Sequence, residues 1–326
     1  MKPLPQFERY FTAPPLSLAY GTYQPANDAE YFALPAINAG ILKEATPAEM
    51  LHHLREDDVD HFGTDAKAEA FTLGSITHAL FLELWKLQGD EWKNHFVDCP
   101  TKGLATVAAK QLRADNPGKL VVTAELFDRA LAIRQFAWNQ NPQVRQILAC
   151  AGLAEVIGKV WDDRNLVWRK WKPDFVPFDA GRYGSYIADV KTTRMPLTER
   201  SWTSECWKFG YFLQAAWYLD CHELLTGHRP ESFVWVVVST AEPFMSRVFT
   251  MLNRSPEDPL YGTTTLKKAR QSLGLDDNGG VGRIMQFCHS ARQTAAAQAD
   301  GESLSDDALR GIWPGYEEEE APLELF

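Results

Sequence analysis

The chain has 326 residues, of which 45% are hydrophobic and 23% are charged, and this balance is typical of a globular protein with a sizeable core. It has no apolar run of the roughly 18 residues that a membrane span needs, no signal-peptide segment and no CxxC pair, so we expect a cytoplasmic protein without a membrane partner or a zinc–thiolate site. The net charge of −10 is concentrated in residues 300–326, which carry −8, and the nearly neutral remainder leaves DNA open as a partner.

The first half of the chain is predicted to be mainly helical. Residues 1–35 are rich in Pro, Tyr and Ala, show no clear period and are predicted to form an irregular N-terminal arm. Residues 95–120 mix short apolar pieces with Gly and Pro and predict no clear element. Apolar spacing and helix-start signals predict helices over 36–56, 70–87 and 123–149, the last interrupted near Asn141-Pro142.

The second half of the chain is predicted to alternate strands and helices. A single long helix is predicted over 198–225, and a C-terminal helical region begins at Thr264. Segments rich in Val, Ile and aromatic residues predict three consecutive antiparallel strands followed, after the helix, by two more. The five segments are "LAEVIGKVWD" (153–162), "NLVWRKWKPDFVPF" (165–178), "YGSYIADVKT" (183–192), "SFVWVVVST" (232–240) and "PFMSRVFTM" (243–251).

The order of these elements indicates the fold class. Helices followed by three strands, a helix and further strands predict one α/β domain with a central mixed sheet flanked by helices and a helical N-terminal portion. We expect this domain to span residues 36–299, between the N-terminal arm and an acidic C-terminal tail over 300–326.

Acidic residues lie on each of the three consecutive strands. Asp189 and Lys191 are two residues apart, so on a strand they point to the same side. Asp174 lies near the end of the preceding strand, and Glu155 lies on the strand before that. In a meander these carboxylates would converge at one edge of the sheet, where they suit Mg²⁺ or Mn²⁺ and the hydrolysis of phosphodiesters. Lys191 would then orient or help deprotonate a water, or bind a phosphate oxygen.

Each of these features alone has a simpler structural interpretation. An isolated Asp-x-Lys on a strand is usually a solvated ion pair, and Asp174 after Lys172-Pro173 would be a turn residue. The metal site is favoured by the joint pattern. Successive strands carry an acid, then Pro-Asp, then Asp-x-Lys, and a long helix follows.

Two helices and one strand supply further candidates. His78 lies on an otherwise apolar helix, where a histidine is often a core residue, but its Gly-Ser context favours a ligand. A stripe at i, i+4, i+7 and i+11 of the helix over 198–225 is usually core, yet a glutamine in its middle favours a polar cleft; the stripe is Trp207, Tyr211, Gln214 and Tyr218. Basic residues amid aromatics predict either a solvated strand face or a groove that follows phosphates; they are Arg164, Arg169, Lys170 and Lys172.

The motifs resemble those of a known nuclease family. "KPD" (172–174) and "ADVKTT" (188–193) resemble the PD-(D/E)XK motif, with Asp189 at the (D/E) position. Four further segments, in the same order along the chain, resemble RecE-type phage and prophage exonucleases, and one of them also resembles RecB-like nucleases. These segments are "INAGILKEATPAEM" (37–50), "LGSITHALFLE" (73–83), "YFLQAAWY" (211–218) and "WPGY" (313–316).

The resemblance implies a restriction-endonuclease-like core and a set of site residues. Lys191 is implied to be the catalytic lysine, and Gln214 and Tyr218 to contact DNA near the scissile phosphate. The implied metal ligands are Asp174, Asp189, the Val190 carbonyl, Glu155 and His78. Gly40 stands where this family usually has a serine, which leaves open how the DNA end is held.

The resemblance also implies an activity and partners. It implies an Mg²⁺-dependent exodeoxyribonuclease of the RecE and lambda-exonuclease type, with Mn²⁺ as a substitute, that digests linear double-stranded DNA from 5′ to 3′ and leaves 3′ single-stranded tails. A homo-oligomeric ring of three or four subunits and a single-strand annealing protein are the implied partners. An endonuclease with the same site and a non-catalytic DNA-binding scaffold remain alternatives, although the intact Glu155, Asp174, Asp189 and Lys191 argue against the scaffold.

Overall fold

The computed structural model describes residues 16–18, 21–25, 31, 34, 36–40, 65–163, 167–178, 186–254 and 264–272. Most of the predicted N-terminal arm, residues 41–56 of the first predicted helix, Arg164 and the acidic tail lie outside these ranges, so those predictions stay predictions. Residues 36–40 are described and are not helical, because Ile37 pairs with Arg169 as an isolated β-bridge. Among the described helices, none is both long and apolar enough to cross a membrane.

The N-terminal half contains helices around two short parallel strands. The helix break near Asn141 is confirmed: the Asn141 side chain accepts a hydrogen bond from the Gln143 amide, and Pro142 follows at the first helical position. The parallel strands and the helix between them, within 96–123, were not predicted. The elements are β1 (Leu16–Leu18), β2 (Gly21–Pro25), α1 (Asp65–Leu82), α2 (Glu91–His95), β3 (Phe96–Cys99), α3 (Val107–Asp115), β4 (Leu120–Thr123), α4 (Ala124–Gln140) and α5 (Pro142–Leu148).

The C-terminal half supplies the strands of the central sheet and the helices on one of its faces. Its elements are β5 (Gly152–Ala154), β6 (Val156–Asp162), β7 (Val167–Trp171), β8 (Phe175–Pro177), β9 (Tyr186–Thr193), α6 (Glu199–Lys208), α7 (Tyr211–Thr226), β10 (Ser232–Ser239), β11 (Ser246–Leu252) and α8 (Thr265–Ser272).

The central sheet has five strands in the order β11-β10-β9-β8-β5. Strands β9 and β10 are parallel, whereas the other neighbouring pairs are antiparallel. A second sheet has the order β1-β2-β6-β7. The prediction of an α/β fold with a central mixed sheet flanked by helices is therefore confirmed.

Two of the predicted strands are each divided between the two sheets. The chain leaves the central sheet after β5 at Glu155, whose φ of 53° lies in the left-handed region, and it returns at Asp174 after β7. Inside the second sheet β6 packs closely on β7, since a Cβ on Gly158 would overlap the ring of Trp171. The predicted uninterrupted meander is thus wrong at two points, although β5, β8 and β9 retain its antiparallel order.

The predicted single helix over 198–225 is also wrong, because two helices meet there. Gly210 has a φ of 69°, and its amide donates to the Trp207 carbonyl, which ends α6. The Gln214 amide then donates to the Gly210 carbonyl at the start of α7. Trp207 therefore leaves the predicted stripe and is 42% exposed.

Two hydrophobic cores lie on opposite faces of the central sheet, and β9 contributes to both. Its residue Ile187 packs in the core formed with α7 and with β6 and β7. Tyr186, Ala188 and Val190 pack in the core formed with α1 and α4. This alternation is that of a strand buried on both faces, and it puts Asp189 on the α7 side.

Candidate active site

Three carboxylates occupy matching positions on neighbouring strands of the central sheet. Ala154 of β5 pairs with Phe175 of β8, and Phe175 pairs with Ala188 of β9. On the same side of this row, the next residue of each strand is an acid. These acids are Glu155, Asp174 and Asp189.

Asp174 is held by both neighbouring strands. Its carboxylate oxygen Oδ2 accepts a hydrogen bond of 2.7 Å from the Val190 amide, and its carbonyl accepts one of 3.1 Å from the Glu155 amide. The carboxylate thus takes the place of a backbone acceptor at the point where β8 begins, which fixes its orientation. Val190 contacts this acid through its N–H, and the implied role of its carbonyl oxygen stays a prediction.

His78 reaches the same edge of the sheet from α1. A Cβ on Gly74 would lie 3.2 Å from Thr192 Oγ1, so the helix approaches β9 closely one turn before the histidine. His78 Nε2 lies 2.9 Å from Asp174 Oδ2 and 3.3 Å from Glu155 Oε1. The close approach at a glycine therefore brings the imidazole to the acids.

His78, Glu155 and Asp174 are suited to hold a divalent cation. Each offers one ligand atom, and the three atoms lie within 4.8 Å of one another. An imidazole nitrogen with carboxylate oxygens is a donor set that divalent ions of the first transition-metal row accept. Three protein ligands leave coordination positions for water or a substrate oxygen. Asp189 does not belong to this triple, and its predicted role as a metal ligand stays a prediction.

Asp189 and Lys191 lie side by side on the α7 side of β9. The Lys191 ammonium is 2.5 Å from Asp189 Oδ2, and Asp189 is completely buried. Gln214 Nε2 donates to Asp189 Oδ1 at 3.4 Å and to the Tyr218 hydroxyl at 3.1 Å. Gln214 therefore faces this polar site from α7, and Tyr218 supports it.

The two aspartates have opposite pKa shifts. Burial and the charge of Asp174 raise the pKa of Asp189 to about 7, although Lys191 opposes this. Burial would also raise the pKa of Asp174, but the charge and hydrogen bond of His78 outweigh it and lower the pKa to about 2. The acids repel one another, so the site favours an added positive charge.

The basic groups respond to the same charges. Burial alone would lower the pKa of His78, yet the charges of Asp174 and Glu155 raise it to about 9. Burial would likewise lower the pKa of Lys191, and the charge of Asp189 raises it above its usual range. A cation at this site would need the neutral imidazole of His78 and would therefore release its proton.

Sequence reasoning missed two residues as parts of this site. Lys172 Nζ lies 2.6 Å from Glu155 Oε2, and the Tyr211 ring centroid lies 5.2 Å from Lys191 Nζ. The available signal for Lys172 was its position two residues before Asp174, the same spacing that identified Lys191. Tyr211 appeared only as one member of a stripe along the predicted helix.

Two members of the predicted basic strand have a different role. Arg169 is buried between Asp162 and Asp220, with which it forms ion pairs. Lys170 is also buried, and its ammonium donates to the carbonyls of Tyr31 and Leu34 at 2.6 and 3.0 Å. Neither a solvated face nor a phosphate groove is correct for these two residues, because both cations hold the fold together.

The mixed sheet and the acids and lysines at its edge define an α/β protein with a site of the PD-(D/E)XK type. Residues 41–267 match the family model described as "PDDEXK-like domain of unknown function (DUF3799)", and the chain belongs to this family. The family membership supports the predicted PD-(D/E)XK character. It does not show that the chain is of the RecE type, which stays a prediction.

Comparisons with other proteins add no argument about activity. The chain has no match among curated proteins. A crystal structure described as a putative exonuclease from Eubacterium rectale is 14% identical, with a TM-score of 0.37 over 77% of this chain and 95% of that one. The crystal structure of SSO0001 is 12% identical, with a TM-score of 0.24 over 77% of this chain and 88% of that one. Similarity at this level identifies neither the fold nor the function of the chain.

Proposed function

We propose that the protein is a metal-dependent nuclease, and that it is an exodeoxyribonuclease which degrades linear double-stranded DNA from 5′ to 3′. The observation that carries the nuclease is the cluster at the edge of the central sheet, where His78, Glu155 and Asp174 come together beside Asp189 and Lys191. Such a cluster of cation ligands suits metal-assisted hydrolysis of a phosphodiester, and the neighbouring lysine could contact the phosphate.

Different side chains of the site would hold the cation and the phosphate. His78, Glu155 and Asp174 would hold Mg²⁺, or Mn²⁺ in its place. A divalent cation supplies a water of lowered pKa and neutralises charge at the scissile phosphate. Because its pKa is raised, Lys191 remains an ammonium, which favours binding of a phosphate oxygen or orientation of the water over removal of a proton.

The 5′-to-3′ exonuclease activity is supported by the motifs that resemble RecE-type enzymes. Two of these motifs contribute His78 and the Gln214–Tyr218 pair, and all three side chains lie at the candidate site. The product would be a 3′ single-stranded tail for annealing-type recombination. A ring of three or four subunits and a single-strand annealing protein complete the proposal and rest on the resemblance to RecE-type enzymes alone. The cytoplasmic location rests on the sequence.

The test compares a linear duplex labelled at its 5′ ends with a closed circular duplex, in Mg²⁺ and in EDTA. We expect Mg²⁺-dependent release of the 5′ label from the linear duplex, an intact circle, and no activity for Asp174→Ala. Cleavage of the circle would show the endonuclease instead. Binding of DNA without cleavage of either substrate would show the non-catalytic scaffold.

A further inference from the structure

The two oxygens of the Glu155 carboxylate have different surroundings. Oε2 lies 2.6 Å from the ammonium of Lys172. Oε1 is buried and accepts no hydrogen bond from the part of the chain that the structure describes, and His78 Nε2 lies 3.3 Å from it. Because a buried oxygen without a donor is costly, Oε1 is the atom that Glu155 can offer to a cation beside His78 and Asp174.

The backbone of Glu155 is fixed, so the freedom that remains is that of its side chain. Its amide donates to the Asp174 carbonyl at 3.1 Å, and its φ of 53° is one that few residues other than glycine adopt. The terminal torsion of a glutamate is broad, and the carboxylate could otherwise turn one oxygen or both towards a cation. The ammonium of Lys172 at Oε2 leaves one oxygen for this purpose.

Lys172 is well placed to hold this carboxylate. It lies between Trp171, the last residue of β7, and Pro173, which fixes the backbone on its other side. Its side chain is 16% exposed and that of Glu155 is 10% exposed, so salt screens their attraction less than it would at the surface. A contact of this length between charged groups is also stronger than one between neutral groups. The pair therefore keeps the carboxylate in one orientation.

The number of oxygens that a carboxylate supplies bears on which cation binds. Ca²⁺ takes about six to eight oxygen ligands in a flexible geometry, and a carboxylate often gives it both oxygens. Mg²⁺ is smaller and requires a nearly ideal octahedron at shorter distances. A carboxylate with one oxygen held by an ammonium cannot give both, so it disfavours Ca²⁺ relative to Mg²⁺.

We propose that Lys172 is a positioning residue which holds Glu155 as a one-oxygen ligand and thereby favours Mg²⁺ over Ca²⁺ at the site. The inference rests on the proposed function, because it concerns the same cation. In this role Lys172 acts through Glu155 and contacts neither the cation nor the DNA. The charge of Lys172 alone would act differently, since an ammonium repels the two divalent cations to a similar extent.

The test measures Mn²⁺ binding by electron paramagnetic resonance, and Mg²⁺ and Ca²⁺ binding by displacement of the Mn²⁺. The quantity compared is the ratio of the Kd for Ca²⁺ to the Kd for Mg²⁺. Lys172→Met should lower this ratio about 10-fold, as the loss of a group that orients a metal ligand predicts. Loss of the charge alone would strengthen the binding of both cations and leave the ratio unchanged. Lys172→Gln, which keeps a polar side chain, is measured beside it and should give the same result.

The matched control is Lys86→Met. Lys86 forms an ion pair with Glu83, which is not a member of the cluster of His78, Glu155 and Asp174. The same substitution therefore removes an ammonium from a glutamate that is not a clustered ligand, and it should leave the ratio unchanged.

A second control shows whether Lys172 acts through Glu155. In a protein that already carries Glu155→Gln, Lys172→Met should change the ratio no further, because the carboxylate that it orients is absent. A change as large as that in the wild-type background would overturn the proposal.

The outcomes separate the role of Lys172 from the nuclease. An unchanged ratio in both Lys172 variants, with cleavage of DNA by the wild-type protein, would overturn the role of Lys172 and leave the nuclease standing. A lowered ratio, with no cleavage by the wild-type protein, would support the role of Lys172 and refute the nuclease. A wild-type protein that binds none of the three cations would refute both.

Discussion

His222 gives the protein a stability that depends on pH in a defined direction. Burial lowers the pKa of this histidine on α7 from 6.5 to about 4, and the nearby His228 acts in the same direction. The unfolded chain takes up the proton near pH 6.5, whereas the folded protein does so only near pH 4. Between these values the unfolded state binds more protons, so the free energy of unfolding falls as the pH falls.

The size of the effect follows from the two pKa values. At pH 4.5 the difference in proton binding destabilises the folded state by about 2.5 kcal/mol relative to pH 8. His222→Gln cannot take up this proton, so the variant should lack this part of the loss. Titrations of the other groups are common to both proteins and cancel in the comparison.

The assay is urea unfolding of the wild-type protein and of His222→Gln at steps from pH 8 to pH 4.5. We expect a constant difference in the free energy of unfolding above pH 7, and below pH 6.5 a change of about 2.5 kcal/mol in favour of the variant. Parallel curves for the two proteins down to pH 4.5 would refute the argument, because His222 would then titrate equally in both states.

Three further substitutions test the site and its support. Asp174→Ala removes one of the three clustered ligands, and we expect calorimetry with Mn²⁺ to show binding weakened at least about 10-fold. Lys191→Met should reduce kcat on linear DNA by about 100-fold or more while Mn²⁺ binding persists, and equal activity would contradict the assigned role. Asp162→Ala leaves the buried Arg169 with one fewer carboxylate, and urea unfolding should show a loss of about 3 kcal/mol. Glu199→Ala, which breaks an exposed ion pair, should cost less than about 1 kcal/mol and is the control for Asp162→Ala.

Local chemistry explains the parts of the structure that sequence predicted well. The period of two along a strand places Asp189 and Lys191 on one side, and the structure has them as an ion pair. The break at Asn141 follows from a capping side chain before a proline. Both features depend on residues that are close together in the chain, so a short window of sequence contains the information.

Long-range packing explains the parts that were wrong. Strand β6 pairs with β2, which lies more than 130 residues earlier, and that pairing takes β6 out of the central sheet at Glu155. Glycine is tolerated inside many helices at a cost of about 1 kcal/mol. At Gly210 it is the left-handed conformation of the backbone that ends α6. Neither distant partners nor a glycine's dihedral angle can be derived from local periodicity.

The left-handed backbone at Glu155 sets two selective pressures against each other at one position. A non-glycine residue in this conformation costs about 1–2 kcal/mol, so glycine would make the folded protein more stable. Glycine would also remove the carboxylate that contacts His78 and Lys172. Laboratory evolution for thermal resistance alone should therefore drift towards glycine at this position, whereas evolution under selection for catalysis should keep the acid and accept the lower stability.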